Sequence, residues 1–221
     1  MVETSPDSAA HGPAASTGNG RSATRDSSDR SLDKSFGQDV LAHITRPIVL
    51  VGLMGAGKSC IGKRLASHFG LPFVDADREI EAAAGCSIPD IFSLHGEKAF
   101  RDGERRVIQR LLGNPVHVLA TGGGAFVDPT TRALVKERGL SIWIRADLDL
   151  LLKRVSRRND RPLLQNVDPR AKLAELIDLR HPFYAEADII VDSADGPPEV
   201  TLGRVIEALH DYFAKRDGVA P

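Results

Sequence analysis

The chain has 221 residues, enough for one α/β domain with a sizeable core and too few for two full domains. Its 29 basic and 30 acidic residues nearly cancel, and a net charge of −1 argues against the broad electrostatic footprint that holds nucleic acid or an anionic membrane. The two cysteines, Cys60 and Cys86, form neither a CxxC nor a Cys/His cluster, which supports no disulfide framework or zinc site and suits a reducing, cytoplasmic compartment.

Residues 1–45 read as a disordered head. They are rich in Ser, Ala, Gly, Asp and Arg, and up to residue 40 Leu32 and Phe36 are almost the only large apolar side chains. Such a segment buries too little surface to offset its ordering entropy. Glu3, Asp7, Asp26, Asp29 and Asp33 argue against an organellar transit peptide. No apolar run follows the N-terminus as in a secretory signal, and no stretch reaches the ~20 apolar residues of a membrane helix.

From Pro47 onward, short apolar runs alternate with amphipathic ones. Pro47–Leu53 (PIVLVGL) is a continuous apolar strand of the kind buried on both faces. Gly52-Leu-Met-Gly-Ala-Gly-Lys58-Ser59 follows it and fits G-x-x-x-x-G-K-[ST]. Glycines there let backbone N–H groups turn inward around phosphate oxygens, and the helix predicted over 58–69 adds its positive end. Lys58 then reaches the β- and γ-phosphates, while the Ser59 hydroxyl ligates Mg²⁺. Nucleotide binding follows from this loop, but the reaction does not, because ATPases, GTPases and kinases share it.

A second strand, over 71–74, leads into Asp75-Ala-Asp77. Residues two apart on a strand point the same way, so both carboxylates face one cleft at the carboxyl end of the sheet. A helix cap for 79–84, or a solvated strand end, accounts for the pair as well. The helix predicted over 97–112 carries Arg101 and, three residues on, Glu104; either a substrate clamp or a surface ion pair fits this spacing. A third strand, 116–120, runs into Thr121-Gly122-Gly123-Gly124, where missing side chains bring the backbone close to a ligand or simply make a turn. A helix beginning near Pro129, capped by Asp128, precedes the strand 141–145.

Helices over 147–157 and 170–186 flank Arg157-Arg-Asn-Asp-Arg161-Pro-Leu-Leu164, a basic stretch readable as a phosphate-closing lid or as a solvated loop. Arg180 opens Arg180-His-Pro-Phe-Tyr184; its guanidinium fork suits a carboxylate, and a solvated surface residue fits the position as well. The strand 189–192 and a helix over 198–214 complete the alternation, and residues 216–221 should fray. The pattern implies an α/β fold with a five-stranded parallel sheet flanked by helices.

In this order, GLMGAGKS, FVDAD, SIPDIFSLHGEKAFRDGE, ATGGGA, RNDRPLL and RHPFY resemble the shikimate kinase family over about 48–192. The resemblance implies a three-layer P-loop kinase fold of the nucleoside-monophosphate-kinase type over 46–215, with a substrate-binding region and a lid over about 157–170. It implies ATP as phosphate donor with Mg²⁺, shikimate as acceptor through its 3-hydroxyl, and a monomer with no nucleic-acid or membrane partner. By the same resemblance Gly55, Ala56, Gly57, Lys58, Ser59, Cys60, Arg154 and Arg161 serve ATP. Ser59 and, through water, Asp75 serve the metal. Asp77, Arg101, Gly122, Gly123, Gly124 and Arg180 hold the acceptor, Glu104 supports Arg101, and Lys58, Asp77 and Arg161 are catalytic. Two positions depart from the family pattern: Cys60 replaces a common hydroxyl residue, and Ala194-Asp195-Gly196 lacks the basic residue often found near the adenine. A kinase for another hydroxy acid, such as gluconate, and a binding protein without turnover are the competing readings.

Overall fold

The structure, a computed structural model, describes residues 40–156 and 168–218. Most of the expected lid over about 157–170, including Arg161, and most of the expected disordered head lie outside the described residues.

The sheet grows around β1 (Ile48–Val51), whose four residues are all fully buried. An apolar run with no polar alternation is stable only when both faces of the strand are covered. β2 (Phe73–Asp75), β3 (Val118–Ala120), β4 (Leu140–Arg145) and β5 (Ile189–Asp192) complete a sheet in the order β2-β3-β1-β4-β5. Every pairing is parallel. Parallel neighbours need crossovers, and helices supply them. α1 (Lys58–Phe69) packs over β1, β2 and β3 beside α7 (Pro198–Arg216), which lies on β5. α2 (Ala76–Ala84) and α3 (Ile88–Leu111) pack together. α4 (Pro129–Arg138) contacts β4 and α3, and α5 (Leu148–Val155) contacts α6 (Pro169–Tyr184).

β1 lies at the centre, with β3 on one side and β4 on the other. The chain therefore reverses its direction of winding at this strand, and ligands of open α/β sheets collect at the carboxyl ends there. The phosphate loop and the glycine turn follow the carboxyl ends of β1 and β3, and Asp75 is itself the carboxyl end of β2; the three strands are adjacent in the sheet.

Several boundaries differ from the sequence expectation. Gly52 leaves the strand with φ of 132°, which ends β1 before the expected Leu53. The expected helix over 97–112 starts at Ile88, capped by Ser87, and is bent at Gly96 (φ 78°). Residues 40–43 are helical, with Val40 and Ile44 buried in the core. The packed region thus reaches back into the segment 1–45, because the apolar spacing of Val40 and Ile44 fits one helical face.

Candidate functional site

Around the phosphate loop the backbone is shaped by glycine. Gly52, Gly55 and Gly57 have φ of 132°, 83° and 102°, a region other residues rarely adopt. Gly57 is the N-cap of α1 and no side chain caps that helix, so its first-turn N–H groups face an anion site with the helix dipole behind them. Lys58 is buried, and its Nζ donates to the carbonyl oxygens of Gly52 (2.8 Å) and Leu53 (3.0 Å).

Ser59, one residue on, donates from Oγ to Asp75 Oδ2 at 2.8 Å. No group of three or more His, Cys, Asp or Glu suited to a metal occurs among the described residues. A hydroxyl beside one carboxylate fits Mg²⁺, which keeps most of its waters and takes its other ligands from phosphates.

Asp77 reaches the cleft by a different local route from the expected one. β2 ends at Asp75, which caps α2 and accepts from the Asp77 N–H at 3.2 Å; Asp77 itself stands on the first helical turn. The capping explanation and the cleft position hold together, while the shared strand face does not.

The glycine turn after β3 is the hub. A Cβ on Gly122 would lie 2.9 Å from Asp77 Oδ1 and 3.1 Å from Glu104 Oε1. One on Gly123 would lie 3.5 Å from Arg180 Nη1, 3.5 Å from the Met54 backbone N and 3.6 Å from the Gly52 carbonyl. One on Gly124 would sit within 2.7 Å of Arg101 Cζ. Any side chain at Gly122 or Gly124 would fill the space these charged groups occupy. Asp77, Arg101, Glu104 and Arg180 therefore come from α2, α3 and α6 to one turn, with the phosphate-loop backbone beside it.

Arg101 Nη1 donates to Glu104 Oε2 at 2.7 Å, and Nη2 to Glu97 Oε1 at 3.3 Å. Burial opposes the Arg101 charge, but Glu104 and then Glu97 outweigh it and hold its pKa above the ordinary arginine value. Glu104 is buried, and desolvation pushes its carboxyl above the usual range against the pull of Arg101. Arg180 Nη1 donates to the Gly123 carbonyl at 3.2 Å.

Arg154 donates from Nη1 to the carbonyls of Gly55 (3.3 Å) and Ala56 (3.1 Å) and to Ser193 Oγ, and from Nη2 to the Ala194 carbonyl (2.7 Å). It ties the phosphate loop to the segment after β5. Where that segment lacks a basic residue, Lys153 of α5 pairs with Asp195. Cys60 is exposed, and its sulfur accepts from Arg64 at 3.1 Å.

Two residues given no role of their own in the sequence reading also shape the site. Tyr184, fully buried, donates its hydroxyl to the Gly123 carbonyl; its position four residues after Arg180 was the available signal. Arg132 donates to the carbonyls of Phe126 and Val127, at 3.1 and 3.0 Å, and pairs with Glu186, bracing the 3₁₀ turn Ala125–Val127. No short motif marks it.

A parallel five-stranded sheet, a glycine phosphate loop and an adjoining two-arginine, one-aspartate pocket define a P-loop kinase for a small acid. Comparison with known proteins narrows the class. A family model described as shikimate kinase matches residues 54–210. The chain is 63% identical over 171 residues to a shikimate kinase of Paramagnetospirillum magneticum, covering 77% of this chain and 88% of that one. It is 55% identical over 168 residues to one of Rhodopseudomonas palustris, covering 76% and 83%. Among solved structures it is similar to shikimate kinase from Acinetobacter baumannii in complex with shikimate, with a TM-score of 0.71 at 36% identity, covering 79% of this chain and 95% of that one. The chain belongs to the shikimate kinase family.

Proposed function

We propose that the chain transfers the γ-phosphate of ATP to the 3-hydroxyl of shikimate, giving shikimate 3-phosphate for aromatic amino-acid biosynthesis. The observation that carries this reading is the glycine turn: it touches the phosphate-loop backbone on one side and Asp77, Arg101 and Arg180 on the others. A triphosphate tip and an organic acid thus have adjoining sites.

Phosphoryl transfer needs alignment and charge stabilisation more than covalent help from the protein. Gly55, Ala56, Gly57, Lys58, Ser59 and Cys60 cradle the phosphates through N–H groups of the loop and the first helical turn. Lys58 exchanges its carbonyl partners for phosphate oxygens as nucleotide enters. Ser59, with Asp75 through water, would hold Mg²⁺, which supplies charge neutralisation between the phosphates. Arg101 and Arg180 clamp the acceptor carboxylate, and Glu104 holds the Arg101 fork. Asp77 accepts a hydrogen bond from the attacking hydroxyl and draws off its proton. Arg154 would lie near the adenine, and Arg161, outside the described residues, would cover the transferring phosphate. The reading includes a cytoplasmic monomer; the absence of any CxxC or Cys/His cluster supports the reducing compartment. No helix among the described residues is long and apolar enough to cross a membrane.

The test is ADP release from purified protein with ATP and Mg²⁺, in the presence of shikimate, gluconate or no acceptor. Release should depend on shikimate and exceed the other two rates by orders of magnitude. Slow hydrolysis unaffected by shikimate defeats the proposal.

A further inference from the structure

Tyr184 is the largest fully buried side chain among the described residues and carries a polar group into the core. Its ring packs near Trp143, 5.7 Å between centroids, which alone would make it a core filler. Its hydroxyl, however, donates to the Gly123 carbonyl, the same oxygen that accepts from Arg180 Nη1 at 3.2 Å. Tyr184 and Arg180 stand one turn apart on α6, so both reach the same atom from one helical face.

That atom lies in a backbone segment of three successive glycines. Gly122, Gly123 and Gly124 carry no Cβ to restrict them, and a peptide between two glycines reorients at little cost. The peptide is planar and trans, so fixing the Gly123 carbonyl also turns the Gly124 N–H away from α6. A rotation here would disturb Gly124 against the Arg101 guanidinium as well as the Arg180 contact. Two arginines on different helices thus depend on one peptide orientation.

We infer that Tyr184 is a positioning residue for the acceptor, its hydroxyl fixing the glycine turn and the Arg180 fork that clamp the carboxylate. This rests on the reading of the chain as a shikimate-phosphorylating enzyme. Burial holds the phenol up to about 12, so it stays a neutral donor throughout the working pH range.

The test is Tyr184→Phe, which keeps the ring and removes the hydroxyl. Loss of one buried hydrogen bond should raise the shikimate KM about 10-fold. The ATP KM should stay within about twofold and the unfolding midpoint within a few degrees, because the Gly123 carbonyl keeps its bond from Arg180. Unchanged shikimate KM overturns the inference; so does a rise in both KM values with a lowered midpoint, which is the signature of a core filler. A change confined to kcat also overturns it. Should the variant not fold, the wild-type sequence labelled with 3-fluorotyrosine decides, since Tyr184 and Tyr212 are its only tyrosines. The ¹⁹F resonance assigned to Tyr184 by its persistence in Tyr212→Phe should move on adding shikimate but not ATP; a resonance that stays fixed refutes the role. Wild-type protein without shikimate-dependent ADP release would instead defeat the underlying functional reading.

Discussion

Asp77 stands where the first turn of α2 meets the glycine hub, with Oδ1 2.9 Å from the point a Gly122 Cβ would occupy. In the proposed reaction a carboxylate there would orient the acceptor hydroxyl and take its proton. Asp77→Asn keeps the size and the hydrogen-bonding oxygen but removes the charge and the basicity. Turnover with shikimate should fall ~10²–10⁴-fold, the usual loss for one positioned proton-transfer group. Nucleotide affinity should stay near the wild-type value, because Lys58 and the loop N–H groups are untouched. Rapid-quench phosphate transfer together with a fluorescent-nucleotide titration checks both halves; more than half the activity remaining would remove Asp77 from the mechanism. The meeting of these residues at one turn was legible because each proposed chemistry permits few side chains. A Cβ on Gly124 would push the Arg101 guanidinium from its place, and the proposed bidentate clamp needs that fork. Tyr184 was not legible in that way, since a buried tyrosine reads equally well as packing until its hydroxyl partner is seen.

At the scale of elements, period and punctuation carried the fold. The unbroken apolar run at 48–51 and the glycine that follows it placed both β1 and the loop. The weak point was the junction of β2 and α2. A three-residue strand gives too little alternation to fix its end, so Asp77 was assigned to a strand face although it belongs to a helix. The bend at Gly96 escaped for a related reason: helical spacing continues on both sides of it. α6 carries a pH response of its own. The His181 ring stands edge-on to Trp143, centroids 4.8 Å apart, with Arg145 of β4 and Asp178 of α6 as charged neighbours. Burial and then Arg145 depress its pKa below 6.5, against the opposing pull of Asp178. The unfolded chain therefore binds the proton first, and stability is lost as pH falls below 6.5 toward the folded value. Thermal unfolding from about pH 7 to about pH 5.5 should show a decline in wild type that is shallower in His181→Gln. Parallel curves would mean that His181 is not the group responsible.

The molecule as a whole has little net field, so its affinity for two anionic substrates must come from local donors at one rim of the sheet. That economy makes the integrity of the sheet's surroundings decisive, and the N-terminal boundary tests how far they extend. Residues 35–221 form one compact unit, and its described part begins with Val40 and Ile44, 2% and 8% exposed, against the core. Composition alone set the edge of the fold near residue 45, because Val40, Leu41 and Ile44 at the end of a polar segment are too few to register as an element. A chain starting at residue 35 should keep kcat within about twofold of the full chain and its unfolding midpoint within about 2 °C, since the segment removed is too polar to contribute a core. A chain starting at residue 46 loses both buried side chains, worth about 1.5–3 kcal/mol each. At about 2–4 °C per kcal/mol for a protein of this size, its midpoint should drop by on the order of 10 °C. Circular dichroism melts of the two truncations decide the boundary. Equal midpoints would show that Val40 and Ile44 cover the core without stabilising it; a collapse of the longer truncation would give residues 1–34 a part in folding that their composition does not suggest.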